Sequence, residues 1–95
     1  ALFRKNTEGT DAHYSAALAG MGEACFHAQK LQEALTYYEE ALREVKLHFG
    51  ENMSYALLCT NCAAVCEKLG DGEKAAGYRQ KAADLRRQLE VKTKN

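Results

Sequence analysis

Proline and tryptophan are absent from this chain of 95 residues, and so is any excess of charge, because 13 Lys and Arg stand against 13 Asp and Glu. Each absence excludes something. With a net charge of zero there is no overall electrostatic pull toward nucleic acid or an anionic membrane. No uninterrupted apolar run approaches the roughly 18 residues that a membrane-spanning helix needs. The opening stretch ALFRKNTEGT lacks the apolar segment of a secretory signal. Sustained alternation of apolar and polar residues is missing, as is an Asn-Gly turn, so nothing argues for a sheet. What is present is Ala, Leu, Glu and Lys in abundance, residues that lose little side-chain freedom in a helix. The length bounds the chain to at most one small domain. Three of the four cysteines, Cys59, Cys62 and Cys66, crowd one segment, with Cys25 apart. Nothing suggests secretion, so reduced thiols in cytosol or nucleus are expected, with a cytoplasmic location foremost.

The apolar residues recur at helical spacing and predict four helices. The first runs over about Asp11–Ala28, with Tyr14, Leu18, Met21 and Cys25 on its inner side and Thr10 or Asp11 as its cap. The second, about Leu31–Phe49, turns Leu31, Ala34, Tyr38, Ala41, Leu42 and Val45 inward and stops at Gly50. The third, about Asn52–Leu69, is capped by Asn52, ends at Gly70, and has Tyr55, Cys59, Cys62, Ala63 and Cys66 inside. The fourth, about Asp71–Val91, repeats Ala75, Tyr78, Ala82, Leu85 and Leu89 on one side, and the last residues, KTKN, are expected to fray. The links inside each pair, QK and GDG, are short enough to force antiparallel neighbours.

The two pairs are one unit written twice. Sliding the chain by 41 residues places Gly9 on Gly50, Tyr14 on Tyr55, Cys25 on Cys66, Ala34 on Ala75, Tyr37 on Tyr78 and Ala41 on Ala82. These matches fall on helix stops, on inner faces and on small residues where helices must approach closely, whereas compositional bias would scatter them. Repeat one is taken as about residues 10–50 and repeat two as about 51–91. Residues 1–9 match the end of a second-type helix and are expected to close a preceding unit, and 92–95 form the tail.

The spacing Leu18-x2-Met21-Gly22-x2-Cys25, then Ala34-x3-Tyr38 and Ala41, resembles the two-helix signature of the tetratricopeptide repeat. The second copy reads Cys59-x2-Cys62-Ala63-x2-Cys66, then Ala75-x3-Arg79 and Ala82. Gly22 and Ala63 would let the helices of a pair close to contact, and the four alanines would let the second helix nest. The period departs from the usual 34 residues of the family, and the proline typical of the link is missing. A longer second helix of this kind looks like the 42-residue variety found in kinesin light chains. The resemblance implies an all-α fold, an α-α superhelix of two tandem helical hairpins cut from a longer solenoid. Two hairpins alone bury little, so exposed apolar side chains at the ends and self-association into a homo-oligomer are expected.

The resemblance also implies a function. In such arrays the first helices of each pair line a concave groove that binds a peptide or protein segment. The candidates on the first and third helices are Ser15, Ala19, Glu23, Leu57, Thr60, Asn61 and Ala64. Asn61 matches a position where the family often uses asparagine against a peptide backbone, since its side chain donates and accepts at once. Family members that grip a terminal carboxylate do so with Lys, Asn and Arg. Here Ala19 and Glu23 stand at such places, and Glu23 would repel the ligand, so that mode is rejected.

Other readings are weaker. Cys59, Cys62 and Cys66 share a helical face and could begin a zinc site, with only His48 or Cys25 to complete it, but the same spacing is core spacing and cysteine packs well. His13, His27 and His48 have no matching nucleophile or carboxylate, and there is no glycine-rich phosphate loop, so neither an enzyme nor a cofactor or metal is expected. The basic run Arg79–Lys94 lacks the interleaved aromatics of single-strand binders, and nucleic acid is disfavoured. The two functions in competition are a non-enzymatic protein–protein interaction module and a structural spacer or self-assembly segment without a groove ligand.

Overall fold

The turns decide the topology. The computed structural model describes the backbone of residues 8–94 and the side chains of residues 13–90. Four helices follow one another: α1 Glu8–His27, α2 Leu31–Phe49, α3 Met53–Leu69 and α4 Gly72–Lys94, with no strand among the described residues. The turn after α1 is made at Gln29, whose backbone is left-handed (φ 66°). There the Lys30 N–H donates to the Cys25 carbonyl (2.8 Å) and the Gln29 N–H to that of Phe26 (3.1 Å). One repeat later Gly70 takes the same conformation (φ 87°), the Asp71 N–H donates to Cys66 (2.9 Å) and the Gly70 N–H to Glu67 (3.0 Å). This pair of bonds satisfies carbonyls that the ending helix leaves open. The 41-residue relation read from the sequence is thus built into the backbone at both hairpin turns.

Between the hairpins, Gly50 (φ 82°) returns its N–H to the Val45 and Lys46 carbonyls, and Asn52 accepts the Tyr55 N–H (3.0 Å) as the cap of α3. α1 packs on α2, α3 on α4, and α2 on α3. Small residues permit these approaches: Ala34, Ala41, Ala56, Ala63, Ala75 and Ala82 are all buried. At Gly22 the contact is tightest, because a Cβ there would lie 2.9 Å from the Tyr38 ring.

Burial departs from strict translation where, among the described residues, the outer helices lack a second hairpin beside them. Leu58, Cys62 and Val65 of α3 are buried, while their equivalents Ala17, Met21 and Ala24 on α1 are exposed. On the second helices, Ala34 and Ala41 are matched by buried Ala75 and Ala82. Leu35, Tyr38, Leu42 and Val45 of α2 are buried, whereas Ala76, Arg79, Ala83 and Arg86 stand exposed at the same places on α4. The positions that change are those a neighbouring hairpin covers in the middle of the molecule.

Several expectations are corrected by this arrangement. Tyr14 and Met21 were assigned inward but are 43% and 46% exposed. Among the described residues α1 packs chiefly on α2, so its covered stripe is Ser15, Leu18 and Gly22, and the Tyr14 hydroxyl donates to Glu40 (3.2 Å). α1 also begins at Glu8, which puts Thr10 and Asp11 inside the first turn and not at the cap. The expected end of a preceding unit at residues 1–9 lies mostly outside the described residues. At the other end KTKN does not fray at once, since α4 stays helical to Lys94, in a stretch with no glycine or proline to stop it.

Candidate functional site

Two cavities meet along the inner side of α1 and α3. The first, about 430 Å³, is lined by Ser15, Ala16 and Ala19 of α1, Val45 and Phe49 at the end of α2, Asn52 at the turn, and Ser54, Leu57, Leu58 and Asn61 on α3. The second, about 530 Å³, continues along α1 past Gly20 and Glu23 to Phe26 and His27, with Tyr38 behind. Ala16, Ala19 and Asn61 line both, so the two form one groove with Asn61 at its middle. The groove exists because α1 presents Ala16 and Gly20 where α3 presents Leu57 and Asn61 one repeat later. Small side chains on one wall leave room opposite larger ones.

Five of the proposed groove residues converge there: Ala19, Glu23, Leu57 and Asn61 on the walls, and Ser15 on the floor. Ser15 is only 7% exposed, which corrects its assignment as a presented side chain, because its place on α1 faces the end of α2. Thr60 and Ala64 do not line either cavity. The Thr60 hydroxyl donates to the Ala56 carbonyl (3.2 Å), and Ala64 is half-buried. Sequence reasoning missed Ala16, Phe49 and Leu58. Phe49 was readable as an apolar residue placed just before the Gly50 stop, but nothing local says that the end of α2 floors a groove made by its neighbours.

The groove is apolar at one end and acidic at the other. Leu57 is 50% exposed and Phe49 is 39% exposed, and both border the first cavity. No lysine or arginine is among the described residues lining either cavity. Glu23 carries the negative charge of the second, with His27 Nε2 3.8 Å away. Burial, and after it the Glu23 charge, raises the Tyr38 hydroxyl above its ordinary pKa.

The opposite side is polar and ties the hairpins together. Glu39 accepts from the Tyr78 hydroxyl (2.7 Å) and pairs with Lys74 (3.1 Å), while Glu51 sits between Lys81 (3.0 Å) and Lys46 (3.4 Å). Those lysines hold the Glu51 carboxyl below its usual range, with the Lys81 hydrogen bond foremost. Cys59, Cys62 and Cys66 are core residues, at most 1% exposed, and burial pushes the Cys62 thiol up to about 12. Among the described residues no group of three or more His, Cys, Asp or Glu is placed to hold a metal ion, and no helix is long and apolar enough to cross a membrane.

The model of one family, the tetratricopeptide repeat, matches residues 13–88, most of the chain. The chain belongs to the tetratricopeptide repeat family. Its four helices are the two-hairpin stack that this family builds, and members typically serve as non-catalytic modules for protein–protein interaction. No curated protein and no solved structure matches the chain.

Proposed function

We propose that this tetratricopeptide-repeat chain is a non-enzymatic recognition module that seats a segment of a protein partner in the groove between α1 and α3. The observation that carries the reading is the position of Asn61. It lies where the two cavities join, beside half-exposed Leu57, so one side chain can donate to and accept from an extended backbone while an apolar residue enters the pocket next to it. Four free thiols, three of them in the core, suit a reducing compartment, and we place the chain in the cytoplasm. The long second helix and the 41-residue spacing support a likeness to the kinesin-light-chain variety.

The test is a peptide array probed with the chain, followed by calorimetry of the best binders with Asn61→Ala. Loss of binding by about tenfold or more, with helical circular dichroism unchanged, is the expected result. Full retention of binding by Asn61→Ala would remove the groove from the reading.

A second reading, a spacer or self-assembly segment, is favoured by exposed Tyr14 and Met21 on the outer side of α1. A homo-oligomer built there would pair α1 faces about a two-fold axis. Sedimentation of Met21→Glu separates the readings: dissociation of a dimer supports assembly through this face, and an unchanged monomer leaves the groove as the working surface.

A further inference from the structure

The groove's charge states more about its occupant than its shape does. The apolar end is formed by Ala16, Phe49 and Leu57, and the far end by Glu23. From Ala16 to Glu23 is two turns of α1, about 10 Å along the helix at about 1.5 Å per residue. An extended peptide of polyproline type advances about 9 Å in three residues and returns side chains to the same side. If Asn61 holds such a backbone midway, an apolar side chain between Phe49 and Leu57 would bring the residue about three positions away toward the Glu23 carboxylate.

Among the described residues lining that end there is no lysine or arginine to offset a carboxylate in the ligand. The Glu23 side chain is 69% exposed, and its neighbour His27 lies 3.8 Å off. Lys68 does not line the groove, and its ammonium sits 5.9 Å from the centroid of the Phe26 ring. Like charge at such a rim disfavours a partner, and unlike charge favours it.

We propose that the groove selects a cationic segment: an extended peptide carrying a Leu- or Phe-sized apolar residue and, about three residues from it, an arginine or lysine that meets Glu23. This rests on the groove reading given above and adds the chemistry of the partner. An acidic peptide is disfavoured at the same site by the same carboxylate.

The test uses a synthetic library of short capped peptides on a Ser/Thr background. One position holds Leu or Phe, and Arg, Gln or Glu is scanned through the others. Anisotropy titrations are made against the unaltered chain, Asn61→Ala, Glu23→Gln and Glu23→Lys. The best peptides are expected to carry Arg about three residues from the apolar anchor. Glu23→Gln should weaken these by about two- to fivefold, the scale of an exposed ion pair, and leave the Gln peptides unchanged. Glu23→Lys should reverse the order and favour Glu. If Arg, Gln and Glu peptides bind alike while Asn61→Ala weakens all of them, the cation preference is wrong and the groove stands. If no peptide binds, or if Asn61→Ala changes nothing, both the groove and its preference fall.

Discussion

The two hairpins close on the same pair of backbone hydrogen bonds, yet they put different residues into them. At the second turn Gly70 takes the left-handed conformation freely, and Asp71 accepts the Lys74 N–H through its side chain (3.1 Å). At the first, Gln29 must hold the same conformation with a Cβ, and Lys30 makes no side-chain cap. The same contrast runs through the packing. Gly22 meets Tyr38 in hairpin one, while Ala63 and Arg79 occupy those places in hairpin two, with Arg79 paired to Glu67 on the surface. A repeat therefore fixes backbone geometry and lets side chains trade volume and capping around it.

The largest expected difference concerns the paired cysteines. Cys25 is half-buried, and Cys66, its equivalent, is fully buried. A thiol reagent at neutral pH should label Cys25 readily and reach Cys59, Cys62 and Cys66 only through opening of the fold, on the order of a hundredfold or more slower. Equal labelling in a mass-spectrometric time course would mean that α3 is not the covered helix.

Next comes the cost of truncating that helix. Leu58→Ala should destabilise by about 2–5 kcal/mol in urea melts, because the side chain leaves a cavity between hairpins. Met21→Ala, on the open side of α1, should change stability by less than about 1 kcal/mol. A large effect at Met21 would show that something in solution covers it.

At the glycines, Gly22→Val should cost about 1–3 kcal/mol by forcing the Tyr38 ring away. Gly20, on the groove wall, has open space around it, so Gly20→Ala should stabilise by up to about 1 kcal/mol. Effects of the same size as that at Gly20 are expected at the turn. Gln29→Gly and Lys30→Asp, which copy Gly70 and Asp71, should each add about 1 kcal/mol, the first by relieving the left-handed strain and the second by supplying a cap. A drop in melting temperature for this pair would mean that the first turn is held by contacts the second lacks.

Much of this was legible in the sequence, for local reasons. Both hairpin turns, the Asn52 cap and the Gly50 and Gly70 stops are written in adjacent residues, and the alanines at equivalent places mark where helices touch. The outward position of Tyr14 and Met21 was not legible. Helical periodicity says that they share a stripe with Leu18, but which part of that stripe is covered depends on a neighbouring hairpin, not on α1 itself. The groove was half legible: Asn61, Leu57 and Glu23 follow from the repeat, whereas Phe49 and the floor position of Ser15 depend on where α2 ends in space. Thr60 and Ala64 share a helix with Asn61 but point past the cavity, a difference finer than the repeat pattern resolves.

Stacking by translation is an open-ended form of assembly: any unit whose leading side fits its own trailing side can add copies without limit and grow into a fibre. Here the leading side offers Met21 and the trailing side answers with Arg79 and Arg86, where α2 uses Tyr38 and Val45. A copy stacked there would bring guanidinium groups, one of them already paired with Glu67, against a thioether, a poorer match than the apolar contact between the two hairpins.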